Sequence, residues 1–268
     1  MSQSGSPITA ASAARALPQR PVARPVSWAE QTRIIFTKDL AIELRTGEVV
    51  TTSAFFGFVI VIMSSMSFYD SDLAKAQLAA GAIWLPTAFA SVLSLSRTWQ
   101  RERQESAFDG LLVSPLAHSA IFMGKALGMF VFLLAVEAVI VPTAAVLFSA
   151  PAASAPVVAL TGDAGGVDLM RHGPMLLAIA LCATPGIAAA GALFGVMTVR
   201  TTARDLVLAI VLFPLLSPTL LAAVGATRDL FDGQPFVVLY GWFKVMLIFD
   251  VAFVAGGLTL FGPLADGS

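Results

Sequence analysis

The forty residues 77–116, QLAAGAIWLPTAFASVLSLS followed by RTWQRERQESAFDGLLVSPL, decide how this chain must be read. The first twenty carry no charge, and the second twenty carry six: Arg97, Arg101, Glu102, Arg103, Glu105 and Asp109. A helix needs about 20 mostly apolar residues to cross roughly 30 Å of hydrocarbon, so 77–96 has the length of a membrane span. A plain connector between spans needs only a few polar residues. The segment 97–116 therefore predicts something built for contact outside the membrane.

The rest of the chain follows the same division. Of its 268 residues, 57% are hydrophobic and 12% charged, with a mean hydropathy of +0.84. Soluble domains run about 45–50% apolar and about 25% charged. No water-soluble core of this size buries so many apolar side chains, so the class is a polytopic membrane protein. Six stretches are long enough to span: about 49–68, 77–96, 126–148, 174–198, 206–226 and 236–261. Because lipid-exposed backbone must satisfy its own hydrogen bonds, continuous apolar runs predict an all-α bundle. A β-barrel would show short alternating segments instead.

Charge distribution predicts the orientation. With a cytosolic N-terminus, inner segments hold Arg15, Arg20, Arg24, Arg33, Lys38, Arg45, Arg97, Arg101, Arg103, Lys125, Arg200 and Arg204. Outer segments then hold only Lys75, Arg171 and Arg228. Twelve cations against three place both termini and residues 97–125 in the cytosol. Residues 1–27, rich in Ser, Ala, Pro and Arg, read as a disordered tail, and 28–268 as the transmembrane domain. The outer loop 149–173 is rich in Ala, Pro and Gly and reads as irregular.

Before the first span, 28–48 mixes apolar and charged residues. Phe36, Leu40 and Leu44 recur every four positions, with Asp39 and Glu43 turned away, which predicts a helix lying in the cytosolic interface. Gly191 and Gly195 stand at GxxxG spacing, a seam for close helix approach. Pro142, Pro185, Pro214 and Pro218 each remove a helical hydrogen bond, and 213–218 (FPLLSP) reads as the most broken stretch.

Several chemistries lack their residues. Gly124-Lys125 is followed by Ala126 and lacks the upstream glycine of a phosphate-binding loop, so the chain carries no such loop of its own. No HExxH or GxSxG occurs, and two histidines and one cysteine cannot build a multi-histidine metal site or a disulfide. Intramembrane polar positions are Glu137, Lys244 and Asp250. Each costs about 2.5–3.5 kcal/mol on insertion scales, which predicts an inward face and a partner. Lys244, near the outer end of its span, can alternatively snorkel. His172, flanked by Met170 and Met175, reads as a solvated loop histidine or a metal ligand.

Within 97–116 nothing breaks a helix from Arg97 to Phe108, and Arg101 and Glu105 stand four apart. Gly110 permits a turn, Leu111, Leu112 and Val113 form an apolar tip, and Ser114-Pro115 closes it. An apolar tip rimmed by charge is a contact surface, for headgroups or for a cytosolic partner.

These residues carry a resemblance. Trp84 in the second span, then Glu102, Glu105, Asp109, Gly110, Leu111, Leu112 and Pro115, then Lys125 opening the third span, are similar to the heme exporter protein B family. That family supplies the permease of the cytochrome c maturation ABC transporter, within the ABC-2 type permeases. Glu137 and Pro142 match its third span, and the resemblance runs from about Lys38 to Phe261. The long tail before Trp28, the Ala-rich outer loop and His118 depart from it. The resemblance implies an ABC-2-like fold with a cytosolic coupling helix and no catalysis of its own. Arg101, Glu102, Glu105, Asp109, Gly110, Leu111, Leu112 and Pro115 would engage a separate ABC ATPase that holds the ATP. It further implies a homodimer of permeases in a bacterial inner membrane, with heme as cargo and His172 as a candidate ligand to the heme iron. Expected partners are a heme-handling membrane protein, a small single-span subunit and an outer-face heme chaperone, besides lipid; nucleic acid is not among them. An ABC-2 exporter of another lipophilic substrate and a non-transport membrane assembly factor are the alternative readings.

Overall fold

The computed structural model describes residues 26–67, 72–104, 110, 114–148, 169–198 and 204–266. Among them are seven helices: α1 (Trp28–Thr46), α2 (Glu48–Ser67), α3 (Asp72–Gln104), α4 (His118–Phe148), α5 (Leu169–Thr198), α6 (Arg204–Phe231) and α7 (Phe236–Asp266). Six contain a stretch long and apolar enough to cross a membrane: Glu48–Ser67, Leu78–Gln100, His118–Phe148, His172–Met197, Ile210–Phe231 and Phe236–Ala265. The all-helical, six-span expectation therefore holds.

α5 is the centre of the bundle. Its apolar stretch is 72% buried, against 28% for α2 and 22% for α7, and it packs on α3, α4, α6 and α7. Small residues make this possible. A Cβ on Gly191 would collide with Leu95, and one on Gly195 with the Trp99 indole, whose Nε1 donates to the Gly191 carbonyl at 3.2 Å. The GxxxG seam is thus a slot for one tryptophan of α3. Two apolar layers fill the bundle. One, around Trp84, Ile140, Phe148 and Ile179, lies toward the C-terminal end of α4 and the N-terminal half of α5. The other, around Leu95, Trp99, Phe122 and Leu193, lies toward the α1 end. Trp84 joins α3 to α6 by donating to Thr227 Oγ1 at 2.8 Å.

Two local expectations are corrected. FPLLSP does not interrupt α6, which is continuous through Pro214 and Pro218. Pro218 has no N–H for the Pro214 carbonyl, and the Ser217 hydroxyl donates to that oxygen instead, at 2.7 Å. In α1, Asp39 and Glu43 do turn away from Phe36, Leu40 and Leu44, but toward protein instead of water: both are buried, with Thr32 and Ile35. Leu44 is exposed.

A single glycine joins α1 to α2. Gly47 takes φ 62°, the left-handed region where a Cβ is penalised, and its N–H closes α1 on the Glu43 carbonyl. The Glu43 side chain then accepts from the Val50 N–H at 2.8 Å, satisfying an otherwise unpaired amide in the first turn of α2. Ser27 caps the other end of α1 by accepting from the Glu30 N–H.

Candidate functional site

Lys125 lies about two turns into α4 and is 1% exposed. A buried ammonium requires paired carboxylates, because removing a lone charge from water costs several kcal/mol. Two supply the pairing. Asp39 Oδ2 of α1 stands 2.9 Å from Lys125 Nζ, and Glu102 Oε1 of α3 is in direct contact with it. Lys38 Nζ completes the cluster at 3.0 Å from Glu102 and 3.2 Å from Asp39. Two cations and two carboxylates cancel, so three helices meet at one neutral, charge-dense point.

The protonation equilibria report the pairing. Burial pushes the Glu102 carboxyl up, but attraction to Lys125 and Lys38, with their hydrogen bonds, outweighs burial and holds it below the ordinary range. Burial likewise lowers Lys38, and the fields of Asp39 and Glu102 more than reverse it, leaving the amine above its usual value. Both groups are held in their charged forms.

Glycine lets α1 reach the site. A Cβ on Gly124 would come within 2.6 Å of Ile35 Cβ and 2.9 Å of the Thr32 carbonyl, so α1 lies directly on the α4 backbone there. Gly128 clears Asp39 one turn further on. The Gly124-Lys125 pair that fails as a phosphate loop is therefore a packing surface next to an ionic anchor.

The contact segment springs from this cluster. α3 continues unbroken through Gln104, so the helix predicted from Arg97 is an extension of the second span. Arg101 lies on that extension. Glu102, grouped by sequence with an exposed docking face, is corrected to an inward position: it is 6% exposed and its Oε1 serves both lysines. The period of a helix turns one residue in four inward, and the adjacent charges gave no hint which one. Gly110 and Pro115 are exposed. Glu105, Asp109, Leu111 and Leu112 lie outside the described residues. The segment returns where α1 holds it again: the Ala117 N–H donates to Gln31 Oε1 at 2.8 Å, and Trp28 Nε1 donates to Ser119 Oγ at 3.0 Å. One amphipathic helix thus grips both ends of the same loop.

The other predicted positions lie deeper or at the far end. Glu137 is buried, and its carboxyl accepts from the Thr184 hydroxyl of α5 at 2.9 and 3.1 Å. That hydroxyl also reaches the Ala180 carbonyl at 2.7 Å, so one proton serves three acceptors. Beside Glu137 an apolar groove of about 300 Å³ runs along Leu134, Val141, Pro142, Leu176 and Leu177. Asp250 of α7 sits in the gap left by Gly186 of α5, and its Oδ1 has no hydrogen-bond partner. Lys244 does not face the interior. It is exposed, with Nζ 4.5 Å from the Tyr240 ring centroid. His172 is half-buried at the start of α5, its ring edge-on to Phe231 at 5.5 Å and its Nδ1 unpaired. Between α5 and α7 at this end is a concavity of about 640 Å³, lined by Pro174, Met175, Ala178, Phe236, Tyr240 and Phe243.

Sequence reasoning passed over Asp39, Lys38 and Thr184. A lysine inside an apolar helix was a signal that carboxylates must converge on it, and Lys125 stood unread in that sense.

Comparison with known proteins matches the site region. The sequence model of a family described as CcmB protein covers residues 31–180, from α1 through α4 into α5. A relative, the "Heme exporter protein B" of Pseudomonas aeruginosa, is 24% identical over 207 residues, which is 77% of this chain and 81% of that protein.

Proposed function

The chain belongs to the CcmB family, and from that premise we propose that it is the membrane-spanning permease subunit of an ABC transporter that exports or hands over heme for c-type cytochrome biogenesis. It is a multi-pass membrane protein and a non-catalytic subunit; ATP is bound and hydrolysed on a separate ATPase chain. The observation that carries the reading is the double grip of α1 on the 97–116 segment. The root of that segment is pinned by Lys125, Asp39 and Lys38 around Glu102, and its return by Gln31 and Trp28. A loop so anchored transmits a push to α1, α3 and α4 together.

In this reading the loop engages the ATPase in the cytosol through Arg101, Glu105, Asp109, Gly110, Leu111, Leu112 and Pro115. Glu102 acts behind them as a positioning residue. Both termini are cytosolic, and α1, with Phe36, Leu40 and Leu44 turned from the bundle, rests on the inner headgroups. Two permeases pair with two ATPases, alongside a heme-handling membrane protein, a small single-span subunit and an outer-face heme chaperone. Glu137 and Asp250 are structural hydrogen-bonding positions of the bundle interior.

Two experiments test this. Deleting the chain should abolish holo-cytochromes c; unchanged levels would shift the reading to another lipophilic substrate. Asp109→Lys or Leu112→Asp should leave membrane insertion intact but release the ATPase on purification. Normal co-purification and ATPase activity in both variants would reject the coupling role of the loop.

A further inference from the structure

At the end of the bundle opposite the ionic cluster, the N-terminal turns of α5 and α7 line the concavity of about 640 Å³. Its volume falls within the roughly 300–1,000 Å³ of ordinary small-molecule sites. The walls are apolar and in part flat: Phe236, Tyr240 and Phe243 line the α7 side, with the Phe236 and Phe243 rings 6.4 Å apart and tilted 35°. Pro174, Met175 and Ala178 form the α5 side. One turn further along α7 than Tyr240, Lys244 lays its ammonium 4.5 Å from the centroid of that lining ring. Lys244 makes no ion pair among the described residues, and it stands eight residues into α7, ~12 Å along the helix from Phe236. A cation on an apolar helix ordinarily pairs or faces an aqueous path. Here it has instead the face of an aromatic ring that lines the concavity.

We propose that this concavity binds an anionic amphiphile with a rigid, flat apolar body, namely a porphyrin carboxylate, its rings against Phe236, Tyr240 and Phe243 and a carboxylate on Lys244. The assignment rests on the heme-export reading and locates a cargo site on the outer half of this chain. Ring walls favour a planar ligand over flexible acyl chains, since offset and edge-to-face contacts need a second π-surface. The lysine supplies the charge complementarity. Glu137, by contrast, lines a different groove and offers a carboxylate no cation.

The test uses the whole transporter complex in phosphatidylcholine nanodiscs, with zinc protoporphyrin IX and its dimethyl ester as fluorescent probes. Lys244→Met should weaken the dicarboxylate by about tenfold or more, the worth of a charge-assisted contact, and Lys244→Arg should restore it. The ester should bind wild type and Lys244→Met alike. Ala178→Trp, which fills the concavity from the α5 side, should weaken both probes. Equal dicarboxylate affinity in wild type and Lys244→Met, or unaltered binding in Ala178→Trp, would overturn the site. Loss of porphyrin binding in phosphatidylglycerol nanodiscs, dependent on Lys244, would assign the pocket to anionic lipid and overturn a porphyrin occupant. A parallel cytochrome assay separates the two readings. If the chain restores holo-cytochromes but these variants bind porphyrin as wild type does, the pocket falls and export stands. If deleting the chain leaves holo-cytochromes intact, export itself falls.

Discussion

The two ends of the bundle treat charge in opposite ways. At the α1 end, Lys125 is more deeply buried than any other cation described, yet two carboxylates and a second lysine neutralise it within 3.2 Å. Toward the other end, Glu137 has a shared hydroxyl, Asp250 has a glycine backbone and Lys244 has a ring face. Charge answered by charge fixes helices in one arrangement, because breaking any member leaves an uncompensated ion. Charge answered by a hydroxyl or a ring face leaves bonding capacity over, and that capacity can serve a ligand. The first end is an anchor and the second holds open valences.

The largest break in this contrast should come from Lys125→Met. It strands Asp39 and Glu102 with only Lys38, and removal of one partner of a buried ion pair costs about 3–5 kcal/mol. Thermal unfolding in detergent should show the loss, and adding Glu102→Gln to the variant should recover part of it. Gly124→Val comes next, because it touches no charge. The new side chain meets Ile35 and the Thr32 carbonyl, and overpacking of this kind costs about 1–3 kcal/mol. ATPase co-purification should fall while membrane insertion persists; retention of the ATPase at full yield would show that α1 is not the clamp.

Smaller effects should mark the other end. Glu137→Gln keeps the shape and an oxygen for the Thr184 hydroxyl, so it should cost less than about 1 kcal/mol. A loss comparable to that of Lys125→Met would erase the distinction between the two regions. The smallest effect is with pH. Glu102 is held below its ordinary value, so its contribution is complete above about 4.3, the unfolded value, and is lost only as pH falls through the lower folded value. Lys38 is held above its ordinary value, so its contribution persists below about 10.4 and is lost as pH rises beyond that. Melting curves of wild type and Glu102→Gln should therefore stay a constant distance apart from pH 8 to about 5 and converge in stronger acid. Convergence already near neutrality would contradict the pairing.

Much of this architecture was legible before any coordinates. The span read at 77–96 follows from an uncharged run and a charged sequel, since the hydrocarbon interior penalises charge, and the structure has a span-length apolar stretch at Leu78–Gln100. Gly191 and Gly195 announced a close seam, although not that Trp99 fills it. Less legible were the partners. α1 showed an apolar stripe of Phe36, Leu40 and Leu44, and the opposite face read as water-facing because Asp39 and Glu43 are ordinarily solvated. It is the face that packs inward. Lys244 left two readings open, an interior charge or a snorkelling one, because its span is apolar all round and periodicity gives no direction on such a helix; the exposed position fits the second.

By itself, then, the sequence determined the solvent, the helical class, the number of crossings and the place of the charged loop. These depend on sums over twenty residues, in which the environment of any one side chain averages out. Only the tertiary structure decided that Glu102 turns inward, that Asp39 and Lys125 meet across two helices, and that Lys244 stands beside an open aromatic pocket. Pairing a charge depends on a distance of a few ångströms between residues 23 and 86 apart in the chain, and no local pattern encodes such a distance.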